Sequence, residues 1–182
     1  MEKLSEAISF ATEHHTGQTR KGTVNGVRMP FIIHPMGVMK RVWQFGGTER
    51  DMIAAVLHDT LEDCPEVTPE ILLERFGEQV RNTVLDLTFK DPAITKTQYL
   101  ESFKKKPVQS LVIKIADRIC NTADFIEIGD MKYARKYFLK AEVLFKTMQK
   151  RTKEVEAAFA EPLKIYRDVA IIAKILGVEI KY

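Results

Sequence analysis

The sequence predicts an all-α fold, a helical bundle forming one domain over residues 1–182, and three observations carry that expectation. Apolar residues recur three and four positions apart nearly everywhere. Polar capping residues stand where several of those runs begin, and β-branched runs long enough for strands are scarce. With 182 residues and 45% apolar content, the chain has material for a core that hides roughly 70% of the unfolded surface. Nine Gly and seven Pro are scattered, with no Ser/Gly-rich linker and no fixed repeat, so no domain boundary is visible.

Leu4, Ala7, Ile8 and Ala11 place the first helix near the start. A second follows Pro35, whose fixed φ suits a first turn, and carries Met36, Val38, Val42 and Phe45. Thr48 caps a third, with Ile53, Val56 and Leu57 on its inner face, and that helix is expected to end in residues 58–63. Thr68, Pro69 and Glu70 mark the next start, Gly77 its stop, and Val80, Val84 and Leu87 continue in a further helix. Near Pro107 another begins. Val112 and Ile113 are β-branched, but Leu111, Ile115 and Ile119 keep a four-residue step, so the segment reads as helix. Two long helices, near 130–151 and 155–175, complete the chain. Trp43, Tyr137, Phe138 and Phe145 read as core or pocket wall rather than as a stacking platform for bases.

Twenty-eight Lys and Arg against 25 Asp and Glu give +3, and a pI of 8.8 is too mild to require nucleic acid as partner. A local basic cluster still suits a phosphorylated small molecule. The longest uninterrupted apolar run, Met52 to Leu57, is far too short to span a bilayer, and no signal peptide opens the chain. The expectation is a cytoplasmic protein without a membrane partner. Cys64 and Cys120 form no CxxC pair and read as buried free thiols.

The chemistry concentrates in His58-Asp59-Thr60-Leu61-Glu62-Asp63. A His-Asp pair followed by an acidic pair at this spacing arises by chance about once in a thousand such chains. Four ionisable groups ending an apolar helix are costly to bury unless paired or bound to a metal. On a continuous helix, His58 with Glu62 and Asp59 with Asp63 would lie one turn apart on neighbouring faces. His58 and Asp59 could then straddle a cation, leaving Glu62 and Asp63 to handle protons of a water. His34 follows the apolar run Phe31-Ile32-Ile33, and Asp117 interrupts Leu111 to Ile119, where its plain reading is a buried acid paired with Arg118 or Lys114. Together His34, His58, Asp59 and Asp117 make two imidazoles and two carboxylates, a set suited to Mn²⁺, Fe²⁺ or Zn²⁺.

In order along the chain, His15-Thr16-Gly17-Gln18-Thr19-Arg20-Lys21, Phe31-Ile32-Ile33-His34-Pro35, His58-Asp59-Thr60-Leu61-Glu62-Asp63 and Ile115-Ala116-Asp117-Arg118-Ile119-Cys120-Asn121 resemble the HD-superfamily hydrolase domain of RelA/SpoT homologues. The resemblance implies an HD helical bundle that binds one Mn²⁺ and hydrolyses the 3′-pyrophosphate of ppGpp or pppGpp, giving GDP or GTP and pyrophosphate. It implies His34, His58, Asp59 and Asp117 as metal ligands and Glu62 and Asp63 as the acidic pair acting on water. Arg20, Lys21, Asn121 and Tyr137 would contact the nucleotide. For the basic pair chemistry agrees, since Arg forks onto phosphate oxygens and Lys adds a point charge. His15 reads as structural support and His14 as surface.

The sequence departs from the family pattern in a longer link at residues 22–29, in Phe31 where tyrosine is common, and in Ala123 where arginine is common. All three are expected beside the substrate pocket. With no room for a synthetase domain in 182 residues, the expectation is a stand-alone small alarmone hydrolase. Two other readings stay open: an HD phosphohydrolase of another purine nucleotide or dinucleotide phosphate, and a non-catalytic nucleotide sensor. Oligomeric state is not legible.

Overall fold

The computed structural model describes residues 2–23 and 25–180. Its first half comprises α1 (Glu2–His14), α2 (Ile33–Gln44), α3 (Glu49–Leu57), α4 (Thr60–Asp63), α5 (Pro69–Phe76) and α6 (Glu78–Leu87). Then come α7 (Lys96–Ser102), α8 (Val108–Glu127), α9 (Met131–Leu139), α10 (Glu142–Lys150), α11 (Thr152–Ala158) and α12 (Pro162–Ile175). The all-α expectation holds. An isolated antiparallel bridge pairs Thr19 with Pro30.

Local chemistry explains the boundaries. Thr48 and Asp51 form a reciprocal capping box at the start of α3. Thr68 accepts from the Ile71 amide with Pro69 in the first turn of α5, and Gly77, at φ +87°, separates α5 from α6. A capping box of Thr95 and Gln98 starts α7, which periodicity alone did not predict because the helix is only seven residues long. Helix α8 is the axis of the bundle. Residues 110–120 of it are all buried, as expected of a helix enclosed on every side, and α2, α6, α9, α10 and α12 pack around it.

Four expectations need correction. Residues 130–151 form two helices, because Ala141 bonds back to Phe138 O at 2.9 Å, a three-residue step, and turns the chain. That turn brings Phe138 and Phe145 into one core contact, ring centroids 5.1 Å apart. The segment 155–175 is also divided: α11 starts earlier and ends at Ala158, and Pro162 opens α12, since proline disfavours helix in the preceding residue and suits the first turn. The intervening residues dock on the turn after α2, with Glu161 N bonded to Phe45 O at 2.9 Å. Trp43 is 62% exposed, neither core nor pocket wall, because it lies off the stripe of His34, Val38 and Val42 that α2 buries. Finally, the third helix does not run through the acidic motif. It stops at Leu57, and α4 resumes at Thr60.

Candidate functional site

Three elements bring the four candidate ligands together. His34 sits in the first turn of α2, His58 and Asp59 form the joint between α3 and α4, and Asp117 lies midway along α8. His34 Nε2 is 3.2 Å from Asp117 Oδ1 and 3.6 Å from Asp59 Oδ2. His58 Nε2 is 3.1 Å from Asp59 Oδ1 and 3.8 Å from Asp117 Oδ1. Donor atoms of His34, His58 and Asp59 all lie within 4.8 Å of one another, and Asp117 joins them through the two imidazoles.

This donor set fits a divalent cation. His58 Nδ1 lies 2.8 Å from Ala55 O; with Nδ1 donating there, Nε2 is the atom that would give its lone pair to a metal on losing its proton, the arrangement typical of a metal-ligating histidine. That buried Nε2 has no hydrogen-bond partner. Burial alone would push His58 down, but the carboxylates of Asp59 and Asp117 outweigh it and raise it to about 10. Burial would likewise raise Asp59, yet His58 pulls it to about 2. Asp117 is held well below the usual carboxylate range against its burial, first by Lys114, whose Nζ is 2.8 Å from Oδ2. A cation at Nε2 would satisfy the same carboxylates in place of the His58 proton.

Glu62 and Asp63, consecutive in α4, meet different surroundings. Glu62 Oε2 accepts from the Phe89 amide at 3.0 Å, which ties it to the link between α6 and α7. Asp63 is exposed, and partial desolvation, with Asp59 and Glu62 nearby, raises it to about 6. Both line one cavity of about 340 Å³ that also contains His34, Asp59 and Asp117.

Arg20, Lys21, Asn121 and Tyr137 line the same cavity. Arg20 donates to Asp124 Oδ2 at 2.6 and 3.0 Å and to Asn121 Oδ1 at 2.6 Å, while Lys21 is exposed. Asn121 donates to Asp117 Oδ1, so the arginine, the amide and the buried acid form one chain. Sequence reasoning gave no site role to Lys96, Lys114 or Asp124, which also line the cavity. Lys114 carried a signal, a lysine inside an apolar run three residues before Asp117; Lys96 carried none, because α7 itself was not foreseen. The plain pairing of Asp117 with Lys114 is real and coexists with the histidine cluster. Arg118 instead lies over the Tyr137 ring, 4.2 Å from its centroid.

His15 is buried, bonds Gln18 at 2.8 Å and packs on Phe31, a supporting role as expected. Cys64 and Cys120 are buried free thiols. The link 22–29 includes Val24, which lies outside the described residues, as do Met1, Lys181 and Tyr182 at the ends of the expected domain. Gly22, at φ +82°, packs against Ile128 so closely that a Cβ there would be 2.8 Å from Cδ1. Phe31 does line the cavity. Ala123 does not: it lines a separate cleft with Arg41 and Cys120, because it lies two residues from Asn121 and so on another face of α8.

Residues 7–138 match the family described as HD domain. A guanosine-3′,5′-bis(diphosphate) 3′-pyrophosphohydrolase of Aquifex aeolicus is 34% identical over 126 residues, 66% of this chain and 17% of that protein. The same-named protein of Spiroplasma citri is 31% identical over 153 residues, 79% of this chain and 19% of its own length. The chain thus spans under a fifth of these relatives. A solved structure described as a metazoan ortholog of SpoT that hydrolyzes ppGpp superposes with a TM-score of 0.74 at 22% identity, covering 98% of both chains; it shares the fold.

Proposed function

The chain belongs to the HD-domain family, and from that premise we propose that it is a Mn²⁺-dependent 3′-pyrophosphohydrolase of ppGpp and pppGpp, built as a single HD phosphohydrolase domain working in the cytoplasm. The observation that carries this reading is the convergence of His34, His58, Asp59 and Asp117, three of which line a cavity that also holds Arg20, Lys21 and three further acids. The names of the relatives from Aquifex aeolicus and Spiroplasma citri support the choice of substrate.

His34, His58, Asp59 and Asp117 would hold the metal. A divalent cation there supplies Lewis acidity to a phosphoryl oxygen and lowers the pKa of a water. The reaction adds water across the bond between the ribose 3′ oxygen and phosphorus: hydroxyl goes to phosphorus, a proton goes to the 3′ oxygen, and pyrophosphate departs. Asp63 is suited to take the water proton on its carboxylate and pass it on, because a group titrating near 6 gives and receives protons readily near neutrality. Glu62, fixed by the Phe89 amide, keeps one oxygen for orienting the water. Arg20 is poised to fork onto phosphate oxygens, Lys21 to add charge at the mouth, and Asn121 and Tyr137 to hold the nucleotide against the metal wall.

Purified protein with Mn²⁺ and ppGpp should release GDP and pyrophosphate in equal amounts. Absence of turnover while the metal is bound would overturn the reading, and a panel of other 3′-phosphorylated purine nucleotides would test its substrate.

A further inference from the structure

Helix α9 carries two parallel stripes. Tyr133 and Tyr137 form one and line the nucleotide cavity. Lys132, Lys136 and Lys140 form the other, each one or three residues from a tyrosine and so about 60–100° around the helix from the first stripe. All three lysines are exposed, and Lys140 keeps helical dihedrals at the cap. They line a shallow open cleft that contains no acidic side chain, and among the described residues no salt bridge engages any of them.

The cavity has no such excess. Four Lys and Arg line it against five Asp and Glu, so its charges nearly cancel, and one divalent cation leaves only a small positive balance. Such a site grips an anion at contact but exerts little pull at a distance. A bis-pyrophosphate nucleotide carries several negative charges, and a nearby one-signed field raises its local concentration and its encounter rate. Lys136 directly precedes Tyr137, with Cα atoms about 3.8 Å apart, so its charge acts within a Debye length, about 10 Å at 0.1 M salt, of the cavity wall.

We infer that the Lys132, Lys136 and Lys140 stripe is an electrostatic collector, which draws the polyanionic nucleotide to the cavity and acts on encounter without touching the chemistry. The inference rests on the nucleotide reading given above. Its test is the triple charge reversal K132E/K136E/K140E, compared with K105E/K150E/K153E, an equal change in net charge at exposed lysines off α9. Association of a base-fluorescent ppGpp analogue is followed by stopped flow from about 25 mM to 500 mM salt, alongside steady-state turnover with Mn²⁺.

The α9 variant should lose about tenfold in association rate and in kcat/KM at low salt, approach the wild type at high salt as screening removes the field, and keep kcat. The control should change either rate by less than about twofold. Equal loss in both variants would overturn the inference in favour of overall charge, and an α9 variant with the wild-type salt profile would overturn it outright. If the wild type neither binds nor cleaves, the reading of the cavity falls and this inference with it. If it does both while charge reversal changes nothing, the inference alone falls.

Discussion

Glu62 and Asp63 are neighbours in the chain and differ in what their surroundings allow. Glu62 is tethered through one oxygen to a backbone amide, whereas Asp63 is raised from 3.8 to about 6 by partial burial and by Asp59 and Glu62. Glu62→Gln should therefore retain Mn²⁺ in a binding titration and lower kcat, roughly 10²-fold for a water held in the wrong place. Asp63 also carries a stability signature. A carboxyl whose folded pKa is raised opposes folding once it ionises, so the penalty is absent below about pH 4, grows between 4 and 6, and is complete above 6. Because Asp63 is exposed, solvent screening holds that penalty below about 1 kcal/mol. Asp63→Asn should raise the melting temperature of the metal-free protein at pH 8 by roughly 2–4 °C or less and leave it unchanged at pH 4. The opposite pH dependence in a thermal scan would show that the carboxylate is stabilised where it stands.

At the scale of elements, the site depends on two joints that pin irregular chain to helix. The link before α2 carries Arg20, which is held to α8 by two hydrogen bonds to Asp124 Oδ2 and one to Asn121 Oδ1. Removing Asp124 takes away the charge pair and leaves the guanidinium only the Asn121 oxygen as acceptor, so Asp124→Ala should raise KM about tenfold, some 1.4 kcal/mol of binding, with kcat changed less than about twofold; a fall in kcat at constant KM would place Asp124 in the chemistry. The other joint is Gly46, at φ +79°, where a Cβ would lie 2.7 Å from Ala160 N. Gly46→Ala meets both a left-handed backbone and a closed contact, at a cost of at least about 2 kcal/mol, or a drop in melting temperature of roughly 4–8 °C. Neither joint was legible in the sequence. Periodicity finds elements that bury a stripe, and so it placed α2, α3, α5, α6 and α8. It ran through Ala141 and Pro162, where a three-residue hydrogen bond and a proline redirect the chain. It also missed α7, whose caps lie in a short segment with too few apolar repeats to register.

Across the whole molecule, the gathering of His34, His58, Asp59 and Asp117 was legible because each is an ionisable residue that interrupts or ends an apolar run, and such groups fold inward only toward partners. The cations that complete the cavity were not, because lysines at the surface and at the pocket look alike until tertiary structure places Lys96 and Lys114 beside the acids. The cluster of His34, His58, Asp59 and Asp117 has a consequence for the entire fold. It joins α2, the α3–α4 joint and α8, so a metal bound there ties the N-terminal helices to the central one. A ligand that binds only the folded state at a hundred times its Kd contributes about 2.7 kcal/mol, which for a chain of 182 residues is a rise in melting temperature of roughly 5–10 °C. Mn²⁺ should produce that shift, EDTA should reverse it, and Asp59→Ala should abolish it together with metal binding in a titration. If Asp59→Ala melts higher on adding Mn²⁺ just as the parent does, the metal sits elsewhere and the four side chains only neutralise one another.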